Sequence, residues 1–172
     1  MLLGKLPGAG AVGTPHGMLR SPWKTRYFID TEFTDVVDSQ LISVAIVGED
    51  GREFYDECSD FNRERCNAFV REIVLPQLGR FPGRSMSREA LRIALGVWLS
   101  EVQRKPKPVL CYDADCDYDL VTALLGGALP SGWRHENVFF KLDPARLAQY
   151  VAKHGGEHHA LHDARANAFA FR

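Results

Sequence analysis

The chain has 172 residues, 45% of them hydrophobic and 25% charged, with a formal net charge of -1. That length fits one domain with a single core, and the composition is that of an ordinary globular protein. No apolar run approaches the ~20 residues that cross a bilayer, and Met1-Leu2-Leu3-Gly4-Lys5 lacks the apolar stretch of a secretory signal. A cytoplasmic location is therefore expected, with Cys58, Cys66, Cys111 and Cys116 as reduced thiols, because four scattered cysteines make no dense disulfide framework.

The near-neutral total hides an asymmetry. Residues 30–60 carry ten acids against the single base Arg52, whereas residues 63–107 carry ten Lys/Arg against four glutamates. An acidic pocket beside a basic flank suits a polyanion held by one surface and cut at another. The plainer reading is that the basic residues solvate helix faces.

Residues 1–25 hold repeated Gly and Pro with no apolar period, which predicts disorder there and a native start near Met18. Order is expected over residues 26–172. Arg26-Tyr27-Phe28-Ile29 reads as a first strand, residues 41–47 as a buried second, and residues 52–58 as a third after the Glu49-Asp50-Gly51 turn signal. These make an antiparallel meander. Ala68, Phe69, Val70, Ile73 and Val74 define a helical stripe ended by Pro76. Ser87 caps a second helix carrying Leu91, Leu95, Trp98 and Leu99, which stops at the prolines of residues 105–108. A fourth strand at residues 108–112 enters a helix near residues 118–125. A fifth at residues 137–140 precedes a helix from Asp143-Pro144 through Val151, and a last helix starts near Leu161. The order predicts an α/β fold with a mixed five-stranded sheet, a meander followed by parallel crossovers, flanked by helices.

Three separated stretches supply acids that could surround a pair of metal ions: Phe28-Ile29-Asp30-Thr31-Glu32-Phe33, Cys116-Asp117-Tyr118-Asp119-Leu120 and His158-His159-Ala160-Leu161-His162-Asp163-Ala164. Strand alternation points Asp30 and Glu32 the same way. Carboxylates gathered at one point repel by about 4 kcal/mol per pair at ~4 Å and an effective dielectric near 20. Divalent cations relieve that repulsion, and an all-oxygen set selects hard ions such as Mg²⁺ or Mn²⁺. Two such ions suit an in-line displacement at phosphorus, with a histidine as base for the attacking water.

Spacing alone leaves rivals open. His158 lies five residues before Asp163, ~140° off its face within one helix. The two converge if His158 stands on the helix entry and Asp163 in the first turn; otherwise His159 forms an i,i+4 pair with Asp163. The alternating Asp113, Asp115, Asp117 and Asp119 begin like a calcium-binding loop. Tyr118 and Leu124 stand where that loop needs glycine and glutamate. Among these acids Asp119 is the expected ligand, since it follows an aromatic and opens an apolar helical run, with Asp115 as the fallback. A zinc site from Cys111, Cys116 and the late histidines has the wrong spacing, so the cysteines read as core residues. Trp98 also reads as core, while Trp133, in a loop between Gly132 and Arg134, is the candidate to stack a base.

Together the three stretches resemble the motifs of the DEDDh 3′→5′ exonucleases of the ribonuclease H-like superfamily. Asp30 and Glu32 match the Asp-x-Glu motif, Tyr118-Asp119 the aromatic-Asp pair, and His158 with Asp163-Ala164 the third. The resemblance implies Asp30, Glu32, Asp119 and Asp163 as metal ligands and His158 as general base. It also makes Thr31, Phe33, Tyr118 and Trp133 the expected substrate contacts. Residues 26–172 further resemble ribonuclease AS-type exoribonucleases, small enzymes that prefer adenylate-containing RNA. One departure is that no clear aromatic equivalent stands near Ser85-Met86 for the base-stacking tryptophan that group is expected to carry.

The expected activity is thus removal of nucleoside 5′-monophosphates from the 3′ end of RNA with two Mg²⁺ ions, Mn²⁺ being a substitute. Single-stranded nucleic acid is the expected partner, RNA ahead of DNA, with no membrane and, by kinship, a homodimer. A DNA exonuclease with the same mechanism and a nucleic-acid-binding module without catalysis are the alternatives.

Overall fold

The structure, a computed structural model, describes residues 23–172. The expected disorder of the glycine-rich start and the start site near Met18 lie outside the described residues, except that Lys24 and Thr25 already belong to the first strand.

Three long strands run as the meander anticipated: β1 (Lys24–Phe33), β2 (Leu41–Gly48) and β3 (Glu53–Cys58). β1 pairs antiparallel with β2, and β2 with β3. Buried along its whole length, β2 is the sheet's apolar spine. The sheet has six strands rather than five, in the order β4-β3-β2-β1-β5-β6. The missed strand, β4 (Ser85–Met86), is a two-residue edge piece parallel to β3, too short to leave a period in the sequence. β5 (Lys107–Tyr112) and β6 (Arg134–Asn137) add as parallel crossovers beside β1. The last strand therefore ends at Asn137, where the sequence reading began it. Its Arg-His-Glu-Asn stretch is a polar edge held by backbone pairing, and Phe139–Lys141 forms a single tight turn.

Helices α1 (Arg88–Glu101) and α2 (Asp115–Leu124) cover one face, and α3 (Pro144–His154) and α4 (Ala160–Ala170) the other. Ser87 caps α1 by accepting from the Ala90 amide, and Asp143 caps α3 by accepting from Ala145 and Arg146. In place of the expected regular helix at residues 68–74 stands a short wide-turned segment, Val70–Val74. Val70 and Val74 are buried there while Phe69 and Ile73 stay largely exposed.

Period-two alternation in β1 divides the sheet between these layers. Tyr27 and Ile29 pack with Leu91, Leu95, Leu99, Val121 and Leu124 on the α1/α2 face. Phe28 points to the other face, against Phe171 and Ala170. Its successors on that side, Asp30 and Glu32, come out at the strand's carboxyl end, where the core gives way to a crevice. Parallel α/β sheets place ligands at that end. Trp98 packs on Tyr27 and Phe54, a core residue as expected. No helix among the described residues is long and apolar enough to cross a membrane.

Candidate metal and nucleic-acid site

At the carboxyl ends of β1 and β5 the acids converge. Asp30, Glu32 and Asp163 bring carboxylate oxygens within 4.8 Å of one another, and so do Asp30, Asp113 and Asp117. Asp30 is common to both groups. The five acids come from four devices: strand alternation for Asp30 and Glu32, the residue just after β5 for Asp113, the first turn of α2 for Asp117, and the first turn of α4 for Asp163. A cavity of about 250 Å³ opens here, lined among others by Asp30, Asp113, His158 and Asp163.

The second stretch supplies Asp117, not the expected Asp119. Two positions apart in one α-helix, their side chains diverge by about 200°, so one alone can face the cluster. Asp117 is buried and accepts from the Thr31 amide at 3.0 Å and the Thr31 hydroxyl at 2.6 Å. Asp119 is exposed. Asp115, the fallback, is exposed too and accepts from Asn137 instead. Asp113, the first of the alternating aspartates, also joins the cluster and accepts from the Asn167 amide group at 2.9 Å.

Electrostatics follow from this crowding. Burial, then the neighbouring charges of Asp117, Asp163, Glu32 and Asp113, hold the Asp30 carboxyl well above the usual range. Burial and the charges of Asp163 and Asp117 push Glu32 up to about 8. Burial raises Asp117 to about 7 against the opposing Thr31 hydrogen bond, and Asp163 to about 6 against the His158 amide. Burial likewise lifts Asp113. Among the described residues no Lys or Arg ion pair engages any of the five acids. Buried acids crowded without a cation form a set that divalent ions fit. Both candidate groups of metal-ligating atoms are all-carboxylate, so no cysteine–histidine zinc set forms among the described residues.

His158 stands where convergence requires it, on the α4 entry with Asp163 inside the first turn. It has φ +61°, and its amide donates to the Asp163 carboxylate at 2.8 Å. The loop is fixed from outside by Gln77, whose amide group donates to the carbonyls of Glu157 and His158. It also needs Gly156, because a Cβ there would meet the His162 ring at 2.6 Å. His159 makes no ion pair with Asp163. Its ring is buried against Tyr55 and Phe81, and neither nitrogen has a partner.

The expected substrate contacts fare less evenly. Thr31 is buried and bonded to Asp117, and Phe33 is half-buried opposite Leu41 at the end of β1. Tyr118 stacks with His135 and Tyr112 outside the acid cavity. Trp133 closes the core against Tyr27 and donates to the Leu99 carbonyl, so its ring is already packed. A larger cavity of about 630 Å³, lined by Arg65 and Arg88 among others, holds none of the five acids.

No protein-family model matches the chain. Two 3′→5′ exoribonucleases of Mycobacterium tuberculosis, from strains CDC 1551 and H37Rv, are each 43% identical to it over 77 residues. The match takes in 43% of this chain and 45% of each relative, so the chain spans under half the length of the curated relatives it matches. Among solved structures, exonuclease I from Methylocaldum szegediense superposes with a TM-score of 0.54 at 16% identity, covering 83% of this chain and 38% of that one. Escherichia coli exonuclease I in complex with a dA16 oligonucleotide gives 0.54 at 15%, covering 84% and 39%. A full-length 3′-exonuclease gives 0.55 at 14%, covering 88% and 86%.

Proposed function

We propose that this chain, a homologue of 3′→5′ exoribonucleases with the ribonuclease H-like fold of the exonuclease I structures, is itself a divalent-metal-dependent 3′→5′ exonuclease. Its substrate is single-stranded nucleic acid, RNA ahead of DNA, and its products are nucleoside 5′-monophosphates. The observation that carries this reading is the meeting of Asp30, Glu32, Asp113, Asp117 and Asp163 in one crevice, with no Lys or Arg ion pair to any of them among the described residues.

In this reading Asp30, Glu32 and Asp163 would hold one divalent ion, and Asp30, Asp113 and Asp117 a second. Bound Mg²⁺, for which Mn²⁺ substitutes, supplies charge neutralisation at the scissile phosphate and acidifies a water. His158 lines the cavity beside Asp163 and takes the proton from the attacking water. Thr31 holds Asp117 in place rather than touching substrate. Exposed Arg63, Arg65, Arg71 and Arg88 supply the basic flank that would attract the strand. The names of the relatives support RNA; a homodimer rests on kinship, and a cytoplasmic location on the four scattered cysteines.

The test is a denaturing gel of 3′- and 5′-labelled RNA and DNA, with Mg²⁺, with Mn²⁺ and with excess EDTA. Mononucleotides should come from the 3′ end of RNA, and EDTA should abolish them. Cleavage that persists in EDTA overturns the metal reading, preference for DNA overturns the sugar assignment, and tight RNA binding without release marks a non-catalytic module.

A further inference from the structure

Beyond β6 the chain makes a tight turn that leaves two aromatic rings uncovered. Phe139 is 58% exposed and Phe140 97%, with ring centroids 5.1 Å apart and edge-on. The turn is held firmly. The amide of buried Val138 donates to the Tyr112 carbonyl at 2.7 Å, the Phe139 amide to the Asn137 side chain at 3.0 Å, and the Lys141 amide to the Val138 carbonyl at 2.7 Å. Because Tyr112 directly precedes Asp113, the first of these bonds ties the aromatic turn to the acid cluster.

The rings line a cavity of about 360 Å³ that shares Asp113 and Leu147 with the acid cavity. The two spaces are therefore neighbours across one wall, carboxylate chemistry on one side and bare phenyl faces on the other. Arg172 lines the aromatic side as well, its guanidinium paired with Asp143.

From this continuity, and resting on the nuclease reading above, we infer that Phe139 and Phe140 form the stacking shelf for a nucleobase of the strand whose phosphate enters the acid cavity. The occupant is a base near the 3′ end of a single-stranded RNA. An unpaired base offers a flat π face to any aromatic ring, so stacking here would hold the strand without reading its sequence. This assigns to a pair of phenylalanines the role that Trp133, packed into the core, does not fill.

Phe140 is the residue to test, because its exposure means that truncation leaves the core intact. Oligoadenylates carrying 2-aminopurine at the last, second-last or third-last position are titrated with the full chain in Ca²⁺, and intact oligonucleotide is verified afterwards. At one of those positions wild type should quench the fluorophore. Phe140→Ala should lose the quench and bind about 5- to 150-fold more weakly, the range for one base–aromatic stack, whereas Phe140→Trp should retain both. In Mg²⁺ the alanine variant should raise KM for the oligoadenylate with kcat nearly unchanged. Equal quench and affinity in Phe140→Ala overturn the shelf alone. A wild-type dimer that Phe140→Ala converts to monomer at unchanged RNA affinity assigns the surface to self-association and also overturns it. Failure of wild type to bind any oligonucleotide overturns the nuclease reading together with the shelf.

Discussion

The backbone amide of His158 donates to the Asp163 carboxylate at 2.8 Å, while the imidazole of the same residue lies edge-on to Phe69 with centroids 4.8 Å apart. One residue thus performs two separable tasks. Its main chain orients a candidate metal ligand, and its ring is free of that duty beside the cavity. Asparagine tolerates the left-handed backbone at φ +61° and keeps the amide. His158→Asn should therefore retain divalent-ion binding while turnover falls by about 10²–10⁴-fold, the range for a positioned base. Calorimetry with Mn²⁺ and single-turnover RNA cleavage read the two tasks separately. Loss of ion binding in this variant would mean that the ring, not the amide, holds the site together.

Asp117 and Asp119 give a sharper contrast. Asp117 accepts two bonds from Thr31 and joins the acid cluster, and Asp119 is exposed on a different face of α2. Asp117→Asn should cost at least about 10²-fold in turnover, since a ligand to a catalytic ion contributes several kcal/mol. Asp119→Asn should stay within about 3-fold of wild type, less than 1 kcal/mol at the barrier. Thr31→Val removes the hydroxyl from a buried carboxyl and should destabilise the protein by about 1–3 kcal/mol in urea unfolding. A reversed ranking of the two aspartates would return the ligand to the position that sequence reading chose.

That choice shows what the sequence made legible. The meander, both late helices, the Asp30–Glu32 pair and the His158–Asp163 entry were readable because each depends on local periodicity or spacing. The acid that the second stretch brings to the cluster was not, since four alternating aspartates look alike until the helix phase is known. A signal was nevertheless present: Asp117, Val121 and Leu124 fall at i, i+4 and i+7, the face that α2 buries. Starting α2 at Asp115 instead of Tyr118 would have selected Asp117 and excluded Asp119. β4 and the displaced β6 escaped for a different reason. Short edge strands are fixed by backbone pairing to neighbours far away in sequence, and their own side chains carry no period.

The crowded carboxyls set a pH dependence whose sign can be worked out. Glu32, Asp117 and Asp163 are raised to about 8, 7 and 6, above the ordinary carboxylate values of the unfolded chain. Between about pH 4 and pH 8 the metal-free fold holds protons that the unfolded chain has released, so these groups lower its stability as pH rises. A divalent ion binds the deprotonated set, so its stabilising effect should grow over the upper part of the same window. The increase in Tm caused by saturating Mg²⁺ should be larger at pH 8 than at pH 6 in thermal melts run with and without the ion. An increment that is flat or shrinks with pH would mean that other groups hold the metal.

His159 offers a test of the same helix entry that leaves the acids alone. Its ring is 2% exposed, stacks on Tyr55 at 4.9 Å, meets Phe81 and His162, and leaves both nitrogens unpartnered. Burial first, then the charges of His162 and Arg80, lower its pKa to about 4. A base depressed in the fold stays neutral there while the unfolded chain takes up a proton, so its contribution to stability is lost as pH falls from about 6.5 towards 4. His159→Phe keeps the aromatic contact and removes two buried polar atoms. It should raise stability at pH 7.5 by about 1–2 kcal/mol, and its advantage over wild type should widen as the pH drops through that window. The difference between the two proteins cancels the opposing contribution of the acid cluster, which both retain. RNA cleavage by His159→Phe at pH 7.5 should stay near the wild-type rate, in contrast to His158→Asn. If His159→Phe instead abolished cleavage while remaining folded, the proton acceptor would be the buried ring, reached by an opening of the α4 entry.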